Sequence, residues 1–181
     1  SDRKREIASL ERLHDRHVDG LVLLTNTPDD GTLAGLIGRR KNVVLLDEDI
    51  PGVNVPRLFV ENTEGAALAT RHLIEAGHTR IAYLGGPRGL FSVVERHEGF
   101  VLAMQEAGIP VRPEYVALGS FDPELARAAT LKFLALPEPP TAIFASSDYL
   151  AIGAVMGLRD ANVSIPGDVS LVGFDDMPLG A

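Results

Sequence analysis

Carboxylates, an arginine and small hydroxyl or amide side chains stand just after short apolar runs of this 181-residue chain. Thr25 and Asn26 follow Leu24, and Asp47 follows Leu46. Ser146, Ser147 and Asp148 come after Phe144, and Asp175 and Asp176 come after Val172. Arg96 stands near the start of a helical stretch that follows a further apolar run. These residue types suit a neutral polyhydroxy ligand. Asp accepts from hydroxyls, Arg donates to ring or hydroxyl oxygens, and Phe59 or Phe121 can cover the apolar face of a sugar. Each charge-assisted hydrogen bond contributes roughly 1.5–3 kcal/mol. A few of them beside one aromatic wall would reach the ~8 kcal/mol of micromolar binding. An isolated Asp in such a place is equally a helix cap. The recurrence at several run ends is what points to a site.

Other chemistries find less support. Asp47 with Asp49, or Asp175 with Asp176, can be drawn as acid–base pairs, but adjacent loop carboxylates ordinarily face water. No G-x-S-x-G elbow is present for a nucleophilic serine. His14 and His17 share one helical face without a third metal ligand. Cysteine is absent, which removes disulfides and thiolate metal sites. Gly85-Gly86-Pro87 fits neither phosphate-loop pattern and reads as a tight turn. His78, directly after Gly77, reads as part of a helix stop. The expectation is a binding protein with no catalytic residues, no metal and no cofactor.

Such residues need a frame, and the apolar periodicity supplies one. Helical spacing runs through Ile7, Leu10, Leu13 and Val18, and again through Leu33, Leu36 and Ile37. Strand-like runs fall at 20–24, 43–46 and 57–60. Asn62 or Thr63 can cap a helix that ends before Gly77. Strands at 81–84, 115–118, 142–144 and 169–172 then alternate with helices over 92–107, 123–136 and 148–161. Short, continuously apolar strands are covered on both faces, and strand–helix alternation implies a doubly wound parallel sheet with ligands beyond its carboxyl ends. The Pro- and Gly-rich stretch 50–56 is a candidate boundary. Three strands are too few for a complete first sheet. The chain starts as a helix already under way and stops just after a strand, so a segment clipped at both ends is expected.

Charge narrows the partners. Lys and Arg number 17 against 25 Asp and Glu, a net charge of −8. Such a chain gains nothing from phosphate neutralisation, which supplies most non-specific DNA affinity. Its basic residues Arg3, Lys4, Arg5, Arg39 and Arg40 are split between two places with acids nearby. No apolar run approaches the roughly 18 residues of a membrane span, and the first residues lack a signal-peptide core.

Four blocks, in order, resemble the lactose/galactose-repressor family. They are His72–Gly86, Glu95-Arg96-His97-Glu98-Gly99-Phe100, Thr141–Ala154 and Ile165–Asp176, and in this order and spacing they run from residue 72 to residue 176. The resemblance implies a periplasmic-binding-protein-like fold of two α/β subdomains, 1–59 (incomplete) and 60–181, with the first crossover near Phe59 and Val60. It also implies a small-metabolite effector, of carbohydrate type, bound between the lobes. Asp47, Phe59, Arg96, Phe121, Ser147 and Asp175 occupy family cleft positions, with Thr25 and Asn26 beside another. Glu61 stands where many members carry Asp, Ser147 where Asn is common, and Phe121 where some sugar binders carry Trp. The implied protein is a cytoplasmic homodimeric repressor whose operator DNA is held by a helix-turn-helix headpiece outside this chain. A periplasmic sugar receptor of a transport system shares the fold and is the alternative. The Ile165-Pro166-Gly167-Asp168-Val169-Ser170 block favours the repressor.

Overall fold

A computed structural model describes residues 3–14 and 18–178 of the chain. Its contacts divide into two compact units, residues 1–60 with 89–92, and residues 61–88 with 93–181.

The first unit holds helix α1 (Arg3–His14), strand β1 (Leu21–Leu23), helix α2 (Thr32–Ile37), strand β2 (Val43–Leu46) and strand β3 (Arg57–Leu58). The strands pair in parallel in the order β1-β2-β3. Leu10 of α1, Leu33 and Ile37 of α2, and Leu23, Val43 and Leu45 of the sheet form its core. Ile50 and Val53 are buried in that core too, so the Pro- and Gly-rich stretch 50–56 is packed into the unit, and the division comes at Val60–Glu61.

The second unit begins with helix α3 (Asn62–Glu75) and strand β4 (Ile81–Gly85). Helix α4 (Phe91–Glu106), whose first two residues belong to the first unit, leads to a short 3-10 turn and strand β5 (Val116–Leu118). Helix α5 (Pro123–Leu134), strand β6 (Ala142–Ala145), helix α6 (Asp148–Asp160) and strand β7 (Ser170–Val172) complete it. All four strands are parallel, in the order β5-β4-β6-β7. The chain turns from β4 to one neighbour and then crosses back to the other, which opens a crevice beyond the strand ends at that switch.

The period of two along a strand sorts the core into layers. Ala82, Leu84, Ile143 and Ala145 pack against Ala126 and Phe133 of α5 and Leu150, Ala154 and Leu158 of α6. Ile81, Tyr83, Ala142 and Phe144 face the other way, against Ala66 and Leu73 of α3 and Phe100 and Met104 of α4. Both central strands are therefore buried along their whole length, as a two-sided parallel sheet requires.

Three local readings of the sequence are corrected. Neither Asn62 nor Thr63 caps α3: the cap position is Glu61, which makes no side-chain capping bond, and Asn62 is the first helical residue. Gly85-Gly86-Pro87 is not the turn, which comes at Arg88 and Gly89. Gly85 finishes β4, and a β-carbon there would lie 2.3 Å from Leu118 and 2.6 Å from Tyr83. His78 helps to end α3 only through its backbone, the N–H donating to the Leu73 carbonyl after Gly77 at φ 94°. Its ring instead bridges Thr141 Oγ1 at 3.0 Å and Ser170 Oγ at 2.9 Å, tying together the amino-terminal ends of β6 and β7.

Candidate functional site

The polar residues expected at strand ends do lie there, in one group on each unit. In the first unit Thr25 and Asn26 follow β1, Asp47 ends β2, and Phe59 follows β3. Thr25 is buried and its hydroxyl closes a local turn with the backbone of Thr27, while Asn26 is exposed. Asp47 has a positive φ of 52°, a conformation Asp tolerates better than most residues. Its backbone N–H donates to Leu58 O, and its carboxylate accepts from the Val60 N–H at 3.4 Å. Phe59 is 42% exposed, and its ring centroid lies 4.9 Å from that of Phe91.

Beside this group sits Glu48, a residue that strand-end position alone does not single out. It is buried and accepts from the Phe91 N–H and the Ser92 hydroxyl at the start of α4. Burial raises its carboxyl above the usual range, and those donors only partly oppose the rise. A folded-state pKa above the unfolded one favours the protonated form, so stability from this group is fully present below its unfolded value. It is lost as pH climbs through the folded value. Glu48→Gln should therefore be more stable than the parent at pH 7. The gain should vanish when both are unfolded in urea at a pH below the ordinary carboxylate range.

The second unit's group converges on Arg96, one turn and a half into α4. Its side chain is 9% exposed. The Nε–H donates to Asn62 Oδ1 at 2.8 Å, and Nη1 donates to Ser146 O at 2.7 Å and Asp175 Oδ1 at 3.1 Å. The Phe174 ring lies under the guanidinium, its centroid 4.0 Å from Cζ. Asp175, with a side chain 30% exposed, is held at φ 108°, a strained value for a residue with a β-carbon and one found mostly at functional sites. Ser147 is buried at the cap position of α6, yet its hydroxyl makes no capping bond. Phe121 lies over the end of β4, close enough that a β-carbon on Gly86 would be 2.4 Å from its ring.

Two further residues at this edge serve the fold. Asp148 accepts from the Met177 N–H at 2.7 Å and so fastens the segment after β7. Tyr83 is fully buried against His97, Phe100 and Phe144, and burial pushes its hydroxyl up to about 12, with Ser146 and Arg96 opposing the rise.

The structure thus brings Arg96, Asp175 and Ser147 to one carboxyl edge, with Phe121 at the neighbouring strand end. Asp47, Phe59, Thr25 and Asn26 occupy the corresponding edge of the other unit's sheet. Asn62, Phe174 and the Ser146 carbonyl belong to the Arg96 group and were not anticipated. No group of three or more potential metal-ligating side chains occurs among the described residues, and His17 lies outside them. A guanidinium beside a carboxylate presents a strong donor and a strong acceptor with little net charge. That pairing suits a neutral molecule carrying hydroxyls, and Asp175 disfavours an anion.

A family model described as periplasmic binding proteins and sugar binding domain of LacI family matches residues 1–179. The HTH-type transcriptional repressor PurR of Actinobacillus pleuropneumoniae serotype 3 (strain JL03) is 35% identical over 168 residues, 93% of this chain and 50% of its own length. A solved regulatory protein of LacI family from Chloroflexus aggregans superposes with a TM-score of 0.83 at 31% identity, covering 99% of this chain and 65% of that one. The transcriptional regulator CelR in a cellobiose complex gives 0.84 at 32% identity, covering 97% and 54%. The chain spans about half the length of the curated relatives it matches.

Proposed function

We propose, from the premise that the chain belongs to the LacI family of periplasmic-binding-protein-like sugar-binding domains, that it is the effector-sensing part of a cytoplasmic transcriptional repressor. The observation that carries this reading is the pairing of the buried Arg96 with the partly exposed Asp175 at the carboxyl edge of the second sheet. Arg96 and Asp175 hold a neutral polyhydroxy effector there, Ser147 adds a hydroxyl and Phe121 an apolar wall. Asp47, Phe59, Thr25 and Asn26 are the first unit's own candidate effector contacts. A cellobiose complex of a structural neighbour supports a carbohydrate. The relatives are named repressors, which favours this reading over a transport receptor.

Operator DNA is held by a separate helix-turn-helix headpiece, in keeping with the relatives' names and with a net charge of −8 here. Effector occupancy need change DNA affinity by only about 1–3 kcal/mol to alter operator occupancy severalfold. The protein works as a homodimer, for which Leu125 at the start of α5 and Tyr149 at the start of α6, 54% and 46% exposed, offer apolar surface. It binds without catalysing, in keeping with relatives named as repressors.

A thermal-shift panel tests the ligand class. Neutral sugars, cellobiose among them, should include one that raises the melting temperature with concentration, by the equivalent of about 2.7 kcal/mol at a hundred times its Kd. Sugar phosphates and nucleobases should not. A response confined to anionic ligands would overturn the neutral-sugar reading.

A further inference from the structure

We propose that Asn62 is a positioning residue for Arg96, and that Phe174, seated on Gly65, is the second wall of the same holder. The inference rests on Arg96 being the effector's arginine, but the holder can be tested without any effector.

Asn62 is 1% exposed on the first turn of α3. An asparagine at a helix start ordinarily serves that helix's own N–H groups, whereas this one reaches Arg96 and Glu95. Its amide lies between two charged groups of fixed character. A guanidinium only donates, so the amide oxygen must face Arg96 Nε, at 2.8 Å. A carboxylate only accepts, so the amide nitrogen faces Glu95 Oε2, at 3.4 Å. Chemistry thus orients the amide, and the amide orients the guanidinium.

The face of the guanidinium is set independently. Phe174 lies beneath it, and that ring occupies the space a side chain at residue 65 would need. A β-carbon on Gly65 would stand 2.9 Å from Phe174 Cε2. Residues 62 and 65 are three apart on α3 and share one helix face. One turn of helix therefore fixes both the edge and the plane of Arg96, while Ser146 O and Asp175 take Nη1. Removing the Asn62 oxygen would let a long side chain leave the geometry that binding requires.

The experiment follows the Arg96 Nε–H signal by NMR in the arginine-labelled 181-residue chain, with no ligand present. In the parent it should be resolved and slow to exchange with solvent. In Asn62→Ala, exchange should accelerate by about tenfold or more, as expected when a buried donor loses its acceptor. Asn62→Asp keeps an oxygen towards Arg96 but sets its other oxygen against Glu95, so it is made together with Glu95→Gln, and that double variant should retain slow exchange. Phe174→Leu should speed exchange without removing the acceptor, and it carries the test if Asn62→Ala does not fold. Thr70→Ala is the control for mere destabilisation of α3, because Thr70 is equally buried and its hydroxyl donates to Ala66 O within the same helix. Exchange in Asn62→Ala and Phe174→Leu no faster than in Thr70→Ala would overturn the assignment. If no sugar in the panel bound, the effector reading would fall, and the exchange comparison would still decide the holder.

Discussion

Replacing Arg96 by alanine is expected to abolish the ligand-induced rise in melting temperature and to destabilise the second unit by about 2–4 kcal/mol. Two costs combine in the fold. Asn62 Oδ1 and Ser146 O lose their donor in a place where water does not readily replace it, and each orphaned buried acceptor costs about 1–3 kcal/mol. Asp175 loses its counter-charge, but at 30% exposure its side chain can still be hydrated, so that loss is the smaller one. The binding cost is separate: without the guanidinium, affinity for a responsive sugar should fall at least about 100-fold, or roughly 3 kcal/mol. Arg96→Lys keeps the charge without the planar fork and should recover part of the stability but little of the binding. Arg127, whose exposed side chain pairs with Glu124 and Asp160, serves as the comparison. Arg127→Ala should leave ligand response unchanged. Calorimetric binding retained by Arg96→Ala would remove that residue from the effector site.

The fold was legible because its main signals are periodic. The alternation that sends Ile81 and Tyr83 to α3 and α4, and Ala82 and Leu84 to α5 and α6, is written in consecutive residues. Strand-end position was legible for the same reason, since it follows from where each apolar run stops. Side-chain partnership was not, because local rules compete with distant recruitment. Asn62 had the residue type of a cap, but Arg96, 34 residues away, takes its oxygen. His78 looked like a helix stop, but its ring is claimed by Ser170, 92 residues away. Gly85 and Gly86 had the composition of a turn, yet Leu118 and Phe121 occupy the space beside them. Glu48 stood beside the carboxylate that the strand end singled out. Only the approach of the α4 start, 43 residues on, gives it a role.

The same distinction governs which glycines tolerate a methyl group, and Gly153→Ala is expected to be the most damaging single-carbon change on α6. A β-carbon at residue 153 would stand 2.2 Å from Pro123 O and 2.6 Å from Ala126 Cβ. Both obstacles belong to α5, and the nearer is backbone, so no rotamer change relieves the clash. Overpacking a core by one methylene typically costs about 1–3 kcal/mol. Here the two helices must separate, so roughly 3 kcal/mol or more is expected, a fall in melting temperature of about 10 °C. Gly157→Ala, four residues along the same face, meets Arg127 O at 2.9 Å and Thr130 Cβ at 3.0 Å, and a loss nearer 1–2 kcal/mol follows. Gly35→Ala on α2 meets nothing within 4 Å. There the helix should gain about 0.5–1 kcal/mol from the lost backbone freedom of glycine. The chain has no tryptophan, so far-ultraviolet circular dichroism during urea unfolding is the suitable measurement. Gly153→Ala should also weaken sugar binding, because α6 begins at the strand end that carries Ser147. A Gly153→Ala protein as stable as Gly35→Ala would mean that α5 and α6 do not meet at this distance, and the position of Ser147 would have to be redrawn with them.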